Sequence, residues 1–178
     1  MKTVKTVWNW ITSIVVALVV VFAFLLVGVR LIGLQVFTVL SGSMEPTYHV
    51  GSLIYVKEVD HTELKVGDPI TYMVNDDTVV THRIIEVLVD EEDSNTIRYF
   101  TKGDANDVAD GSSVHYKNII GKPVFSIPYL GYVSHYIQNP PGMYVAIAAG
   151  ALLIMLVFLP DVFSDEDDQE TPKKKKKR

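Results

Sequence analysis

The sequence predicts a mainly β extracytoplasmic domain carried on two transmembrane α-helices. Three observations point to it. Residues 6–29 form an uncharged apolar run, and residues 142–159 form a second. Between them lies a series of short runs rich in branched and aromatic residues, separated by turn signals. At 178 residues the chain has room for one modest domain plus appendages. It has no cysteine, which excludes disulfides, a thiol nucleophile and a thiolate metal site.

The first run follows Lys2 and Lys5. As a helix it extends about 36 Å, enough to cross a hydrocarbon core of about 30 Å with some tilt. Trp8 and Trp10 fall where a headgroup boundary favours amphipathic rings. A secretory leader has the same charge order but an apolar core of about 7–15 residues, and no Ala-x-Ala site follows here. Residues 1–30 therefore read as a cytoplasmic stub and an uncleaved span. The second run follows Pro140-Pro141, and residues 143–160 read as the C-terminal span. Residues 161–178 read as a charged, disordered tail, acidic over 161–170 and basic over 173–178. Lys and Arg near the span ends set orientation, so both termini are expected in the cytoplasm and residues 31–142 outside. That outer segment carries seven Lys/Arg against fifteen Asp/Glu. The basic end of the tail can lie on anionic lipid.

Within 31–142, strands are expected at 51–59, 70–74, 78–89, 96–102 and 119–127. Turns fall at Val66-Gly67-Asp68-Pro69 and Asn75-Asp76-Asp77, with an acidic loop at 90–95. Short strands between turns favour a small sandwich or a partly open barrel. No long helix is expected outside the spans. Pro128 and Gly131 should keep residues 125–132 irregular, either packed as core or dipping into the outer leaflet with tyrosines at the boundary.

Chemistry concentrates at three places. The first is Leu40-Ser41-Gly42-Ser43-Met44-Glu45-Pro46-Thr47, just beyond the first span. Gly42 is expected to let the chain turn where a side chain would clash, and Pro46 to hold Glu45 extended. A hydroxyl on such a turn can be presented to a substrate, but it needs a base, because a free hydroxyl is barely ionised at neutral pH. The second place, Val79-Val80-Thr81-His82-Arg83, offers an imidazole suited to that task. The third is the acidic turn holding Asp104, Asp107 and Asp110, any of which can fix the imidazole's tautomer. The three aspartates do not make a calcium loop. Counted from Asp104, the fifth, sixth and twelfth positions are Val108, Ala109 and His115, where an oxygen ligand, Gly and Glu are needed. His49, His61, His115 and His135 show no zinc spacing. No metal and no cofactor are expected.

Ser41-Gly42-Ser43-Met44-Glu45-Pro46-Thr47 resembles the nucleophile box of type I signal peptidases. Thr81-His82-Arg83 and Thr101-Lys102-Gly103-Asp104-Ala105-Asn106 resemble later boxes of the Ser-His branch, the archaeal and endoplasmic-reticulum kind also found in some Gram-positive bacteria. The common bacterial branch has lysine where this chain has His82. The resemblance implies a signal-peptidase-like β fold, Ser43 as nucleophile and His82 as general base. It implies Asp110 as the catalytic aspartate, Asp104 as a supporting residue and Ser41 as an oxyanion ligand. Val-Ala-Asp-Gly stands here where the eukaryotic pattern has Val-Asp-Asp-Arg, so Asp107 stays an alternative to Asp110.

The implied activity is that of a plasma-membrane serine endopeptidase removing signal peptides after small residues, at Ala-x-Ala sites. Its partners would be secretory preproteins, membrane lipid and secretion-translocase or other membrane subunits, with no nucleic acid. Met44, Ile70 and Tyr72 are candidates for the pocket walls. Two rival readings stand beside it. One is a non-catalytic membrane scaffold that keeps the peptidase fold. The other is a self-cleaving Ser-Lys protease using Lys57, Lys65 or Lys102.

Overall fold

The computed structural model describes residues 2–89 and 96–167. It forms two compact units, Phe24–Tyr136 and Met1–Ala23 with Ile137–Arg178. The acidic loop expected at 90–95 and most of the charged tail lie outside the described residues.

The Phe24–Tyr136 unit is built on seven antiparallel strands: β1 (Leu34–Thr38), β2 (Leu53–Lys57), β3 (Pro69–Asn75), β4 (Thr78–Val89), β5 (Ile97–Lys102), β6 (Val114–His115) and β7 (Ile119–Ile127). Their order is β1-β2-β7-β3-β4-β5-β6, and the edge strands β1 and β6 do not pair with each other. β7 joins the two halves. Gly121 pairs with Thr71 on β3, while Lys122 pairs with Lys57 on β2. Glycine fits this crossing because a Cβ there would lie 2.1 Å from the Lys57 carbonyl oxygen.

Each half has its own core. Ile70, Tyr72, Ile84, Tyr99, Leu64 and Val114 pack between β3, β4, β5 and their connections. Leu53 and Tyr55 of β2 pack with Val29, and Leu26, Val36 and Ile127 lie against them. The last residues of the N-terminal apolar run thus contribute to the core of the β unit. Tyr55 also donates from its hydroxyl to the Leu25 carbonyl at 3.0 Å.

Three local expectations are corrected. β1 and β6 were not expected, and the two residues of β6 are too few to show alternation. Residues 125–132 are regular on both sides of a single turn. β7 continues to Ile127, Tyr129 adopts φ 64°, and helix α2 spans Leu130–Gln138. Pro128 sits in the turn, where its missing N–H costs no ladder bond. Gly131 donates its own N–H to the Gly51 carbonyl at 3.0 Å. Phe125, Tyr129 and Tyr132 remain exposed, whereas Ile127 and Leu130 pack on the core.

In the other unit, α1 begins at Lys2 and runs to Leu26 at its far end, and α3 spans Gly142–Asp167. Among the described residues, Thr6–Leu26 is the one helical stretch long and apolar enough to cross a membrane. Leu130–Gln138 and Gly142–Phe158 meet that measure only as a bent pair. A second transmembrane helix therefore stays an expectation.

Candidate active site

The nucleophile box folds as a single tight turn. Ser41 is extended, Gly42–Met44 form one 3₁₀ turn, and Glu45 is extended again, as Pro46 requires of its predecessor. Glu45 N–H donates to the Gly42 carbonyl at 3.0 Å, and Tyr48 N–H to the Met44 carbonyl at 2.9 Å. Met44 is buried and pins the turn, while Ser43 is left partly exposed. Gly42 does not play the steric role expected of it. A Cβ there would meet Glu45 Cγ at 3.6 Å and Val50 Cγ2 at 3.9 Å, which are ordinary contacts. The crowded glycine is Gly103, where a Cβ would lie 2.5 Å from the Ser43 carbonyl oxygen. Its absence lets the acidic turn close on the nucleophile box, and Ala105 N–H donates to that same carbonyl at 2.9 Å.

His82 projects from the middle of β4, opposite Ile70 of β3. Its Nδ1 lies 2.7 Å from Asp110 Oδ2, and its Nε2 lies 3.1 Å from Ser43 Oγ. A carboxylate can only accept, so Nδ1 carries the proton. The neutral ring then turns the Nε2 lone pair toward the serine hydroxyl. Ser41 Oγ stands 3.3 Å from Ser43 Oγ. Among the described residues no lysine is bonded to Ser43; Lys122 bonds Asp68.

The aspartates separate cleanly. Asp110 accepts from His82, from Thr101 Oγ1 at 2.5 Å and from Tyr72 OH at 3.2 Å. Asp104 faces Arg83 instead. Nε donates to Oδ1 at 2.8 Å and Nη2 to Oδ2 at 2.6 Å, while Thr47 Oγ1 donates to Oδ2. The guanidinium beside Asp104 holds its carboxyl below the usual range, and Asp104 in turn raises Arg83. Arg83 also donates Nη1 to the Gly67 carbonyl at 2.7 Å. One cation thus ties together β4, the Asp68 turn, the acidic turn and the nucleophile box. Asp107 is exposed and makes no bond to His82. Among the described residues, no group of three or more His, Asp or Glu is placed to hold a metal ion.

A cleft of about 600 Å³ opens beside Ser43 and His82. Phe37, Leu40, Met44, Ile54, Val79 and Val80 form its apolar walls. Of the three candidates for those walls, Met44 is in place. Ile70 lies fully buried in the core, and Tyr72 lies behind the imidazole against Asp110. Their cross-strand partners His82 and Val80 do border the cleft, so packing within the core, and not strand face, removes Ile70 and Tyr72 from its walls. The cleft lies between two unpaired backbone edges. β1 is an edge strand, and β4 pairs with β5 only from Arg83 onward, leaving residues 78–82 free on that side.

Sequence reasoning assigned no role to Arg83, Thr47, Thr101 or Gly103. All four stand inside the quoted boxes, so their place in the motifs was the available signal.

A family model described as signal peptidase, peptidase S26, matches residues 7–123. Signal peptidase I W of Bacillus subtilis (strain 168) is 37% identical over 123 residues, covering 65% of this chain and 63% of that protein. The signal peptidase complex catalytic subunit SEC11C of Rattus norvegicus is 32% identical over 127 residues, covering 66% and 65%. SEC11 of Fusarium vanettenii is 31% identical over 129 residues, covering 66% and 73%. The match thus spans slightly under two thirds of the first two relatives. With a family model that takes in the N-terminal helix, the nucleophile turn, the histidine strand and the acidic turn, this chain belongs to the signal peptidase family, peptidase S26.

Proposed function

We propose that the chain is a membrane-bound serine endopeptidase that removes signal peptides from secretory preproteins after small residues. The observation that carries the reading is the line of contacts from Ser43 Oγ to His82 Nε2 at 3.1 Å and from His82 Nδ1 to Asp110 at 2.7 Å, at the floor of a cleft. The preprotein adds a strand to the free edges of β1 and β4, and its small side chains enter the apolar cleft. Ser43 Oγ attacks the scissile carbonyl as its proton passes to His82 Nε2, leaving an oxyanion. Ser41 and the Ser43 N–H are the proposed donors to that oxyanion. The C–N bond breaks as His82 gives the proton to the departing amine. Water, deprotonated by His82, then opens the acyl ester and restores Ser43. Asp110 keeps the imidazole in one tautomer and stabilises the imidazolium, and Asp104 supports the turn.

The enzyme and its substrate meet at the membrane, which raises their effective concentration. The proposed organisation is residues 1–30 as stub and span, 31–142 as the outer catalytic domain, 143–160 as a second span and 161–178 as a cytoplasmic tail. This makes a two-pass plasma-membrane protein with both termini in the cytoplasm. Other membrane subunits are proposed partners, since SEC11C is by name a subunit of a complex.

A cleavage assay in liposomes tests the activity, with a preprotein carrying an Ala-x-Ala site. Wild type should cut after the second alanine, whereas Ser43→Ala and His82→Ala should not. Turnover should also fall on acidification, because the base acts only when neutral. Folded wild type that leaves several such preproteins intact, alone and with translocase subunits added, would favour a scaffold.

A further inference from the structure

Asp110 sits on the loop between β5 and β6, with no strand of its own to fix it. Space is open beside it. A cavity of about 250 Å³ touches Tyr72, His82 and Asp110. Packing alone therefore does not confine the carboxylate. Three adjacent strands supply what does. β3, β4 and β5 present Tyr72, His82 and Thr101 toward the same loop, and all three donate to one oxygen, Asp110 Oδ2.

Thr101 grips residue 110 twice. Its carbonyl accepts the Asp110 N–H at 2.8 Å, and its hydroxyl donates to the carboxylate at 2.5 Å. With that proton committed, Thr101 Oγ1 can only accept, and the one Tyr72 proton is shared between Thr101 Oγ1 at 3.1 Å and Asp110 Oδ2 at 3.2 Å. Thr101 is fully buried and Tyr72 is 5% exposed, so each hydroxyl needs a protein partner. A valine would fill the site of Thr101 equally well, and the polar choice at a dry position calls for a reason. Burial pushes the Tyr72 phenol up to about 12, so it stays protonated and able to donate.

We propose that Thr101 and Tyr72 are positioning residues for peptide cleavage, their hydroxyls locking the Asp110 carboxylate against His82. The inference rests on the Ser43–His82–Asp110 reading above. Neither residue touches substrate. They act through Asp110 by denying it the open space beside it.

The experiment measures kcat and KM for the full chain in liposomes with the Ala-x-Ala preprotein. The variants are Thr101→Val, Thr101→Ser, Tyr72→Phe, Asp110→Ala and the double variant Thr101→Val/Asp110→Ala. Thr101→Val should lower kcat about ten- to hundredfold, the kinetic equivalent of losing a bond to a charged group, with KM little changed. Tyr72→Phe should cost less. Thr101→Ser should recover most of the rate, because it keeps the hydroxyl and loses only a methyl group. A packing role predicts the reverse ranking, with Val better than Ser, and that ranking would overturn the proposal. In the Asp110→Ala background, Thr101→Val should cost nothing further. An equal fractional loss in both backgrounds would show that Thr101 does not act through Asp110. If Asp110→Ala is crippled while Thr101→Val turns over normally, the inference alone fails. If Asp110→Ala keeps wild-type kcat, the assignment of Asp110 fails and the inference falls with it.

Discussion

Asp104 and Asp110 stand six residues apart on one loop, yet they meet opposite chemistry. Asp104 faces a guanidinium in a two-pronged pair, with Thr47 as a third donor. Asp110 faces an imidazole and two hydroxyls, and among the described residues no permanent cation is bonded to it. The difference separates two jobs that the sequence left superimposed. A carboxylate already matched by Arg83 has little charge left to offer an imidazolium, because the guanidinium never gives up its proton. Its energy goes into joining the nucleophile box to β4. In the proposed mechanism, a carboxylate held only by neutral donors keeps its charge for the moment when His82 becomes positive. Two aspartates of one motif thus divide into a clamp and an electrostatic partner.

The sharpest way to break this comparison is to neutralise each carboxylate in turn. Asp110→Asn should lower kcat about a thousandfold or more while the melting temperature barely moves, as expected when a base loses its tautomer partner. Asp104→Asn should do the reverse. It should cost about 2 kcal/mol of stability by leaving Arg83 without its partner, and any loss of rate should track unfolding. Parallel kinetics and thermal melts read both. Equal effects from the two variants would erase the distinction.

A mid-sized effect should come from Arg83→Lys. An ammonium cannot make the paired bonds to both oxygens of Asp104 while also reaching the Gly67 carbonyl. About 1–2 kcal/mol of stability should go, with Asp104→Asn adding little on top of it. A double-mutant cycle by denaturant melts measures this.

Acidification separates the two residues another way. The folded-state pKa of Asp104 lies below its unfolded value, chiefly through the Arg83 bonds. Its contribution to stability is therefore complete above the unfolded carboxyl range, near about pH 4, and is lost as pH falls through the folded value. Wild type should lose melting temperature steeply in that acid window, and Asp104→Asn should lose less. Identical slopes in the two proteins would remove Asp104 as the source.

The smallest effect belongs to Gly42→Ala. Its new Cβ meets only ordinary contacts, so stability should change by about 0.5 kcal/mol or less. Gly103→Ala should be far worse, since its Cβ would lie 2.5 Å from the Ser43 carbonyl oxygen. Melting both variants side by side tests which glycine the turn needs.

Much of the frame was legible beforehand. β2, β3, β4, β5 and β7 all stand where branched and aromatic runs between turn signals put them, because that local pattern suits a half-buried pleat. β1, β6 and α2 were not legible. β1 and β6 are held by pairing with β2 and β5, and α2 by docking Leu130 on a core that the local sequence does not display. At the site, the family resemblance pointed to Ser43, His82 and Asp110, with Asp107 as an alternative, and the fold brings Ser43, His82 and Asp110 within hydrogen-bond reach. Their neighbours were another matter. Ile70 and Tyr72 were candidates for the cleft walls, but both pack into the core between β3, β4 and β5.

By itself, then, the sequence determined the apolar N-terminal helix, the run of antiparallel strands and the motifs that hold the proposed reactive groups. Each of these is a matter of local composition, periodicity or motif. Only the tertiary structure decided which aspartate meets the imidazole, which glycine the nucleophile turn requires and which hydroxyls surround Asp110. Those questions turn on distances of a few ångströms between residues 9 to 60 positions apart in the chain. Such distances are set by strand register and by the closing of one turn on another, and neither is written in any single stretch of residues.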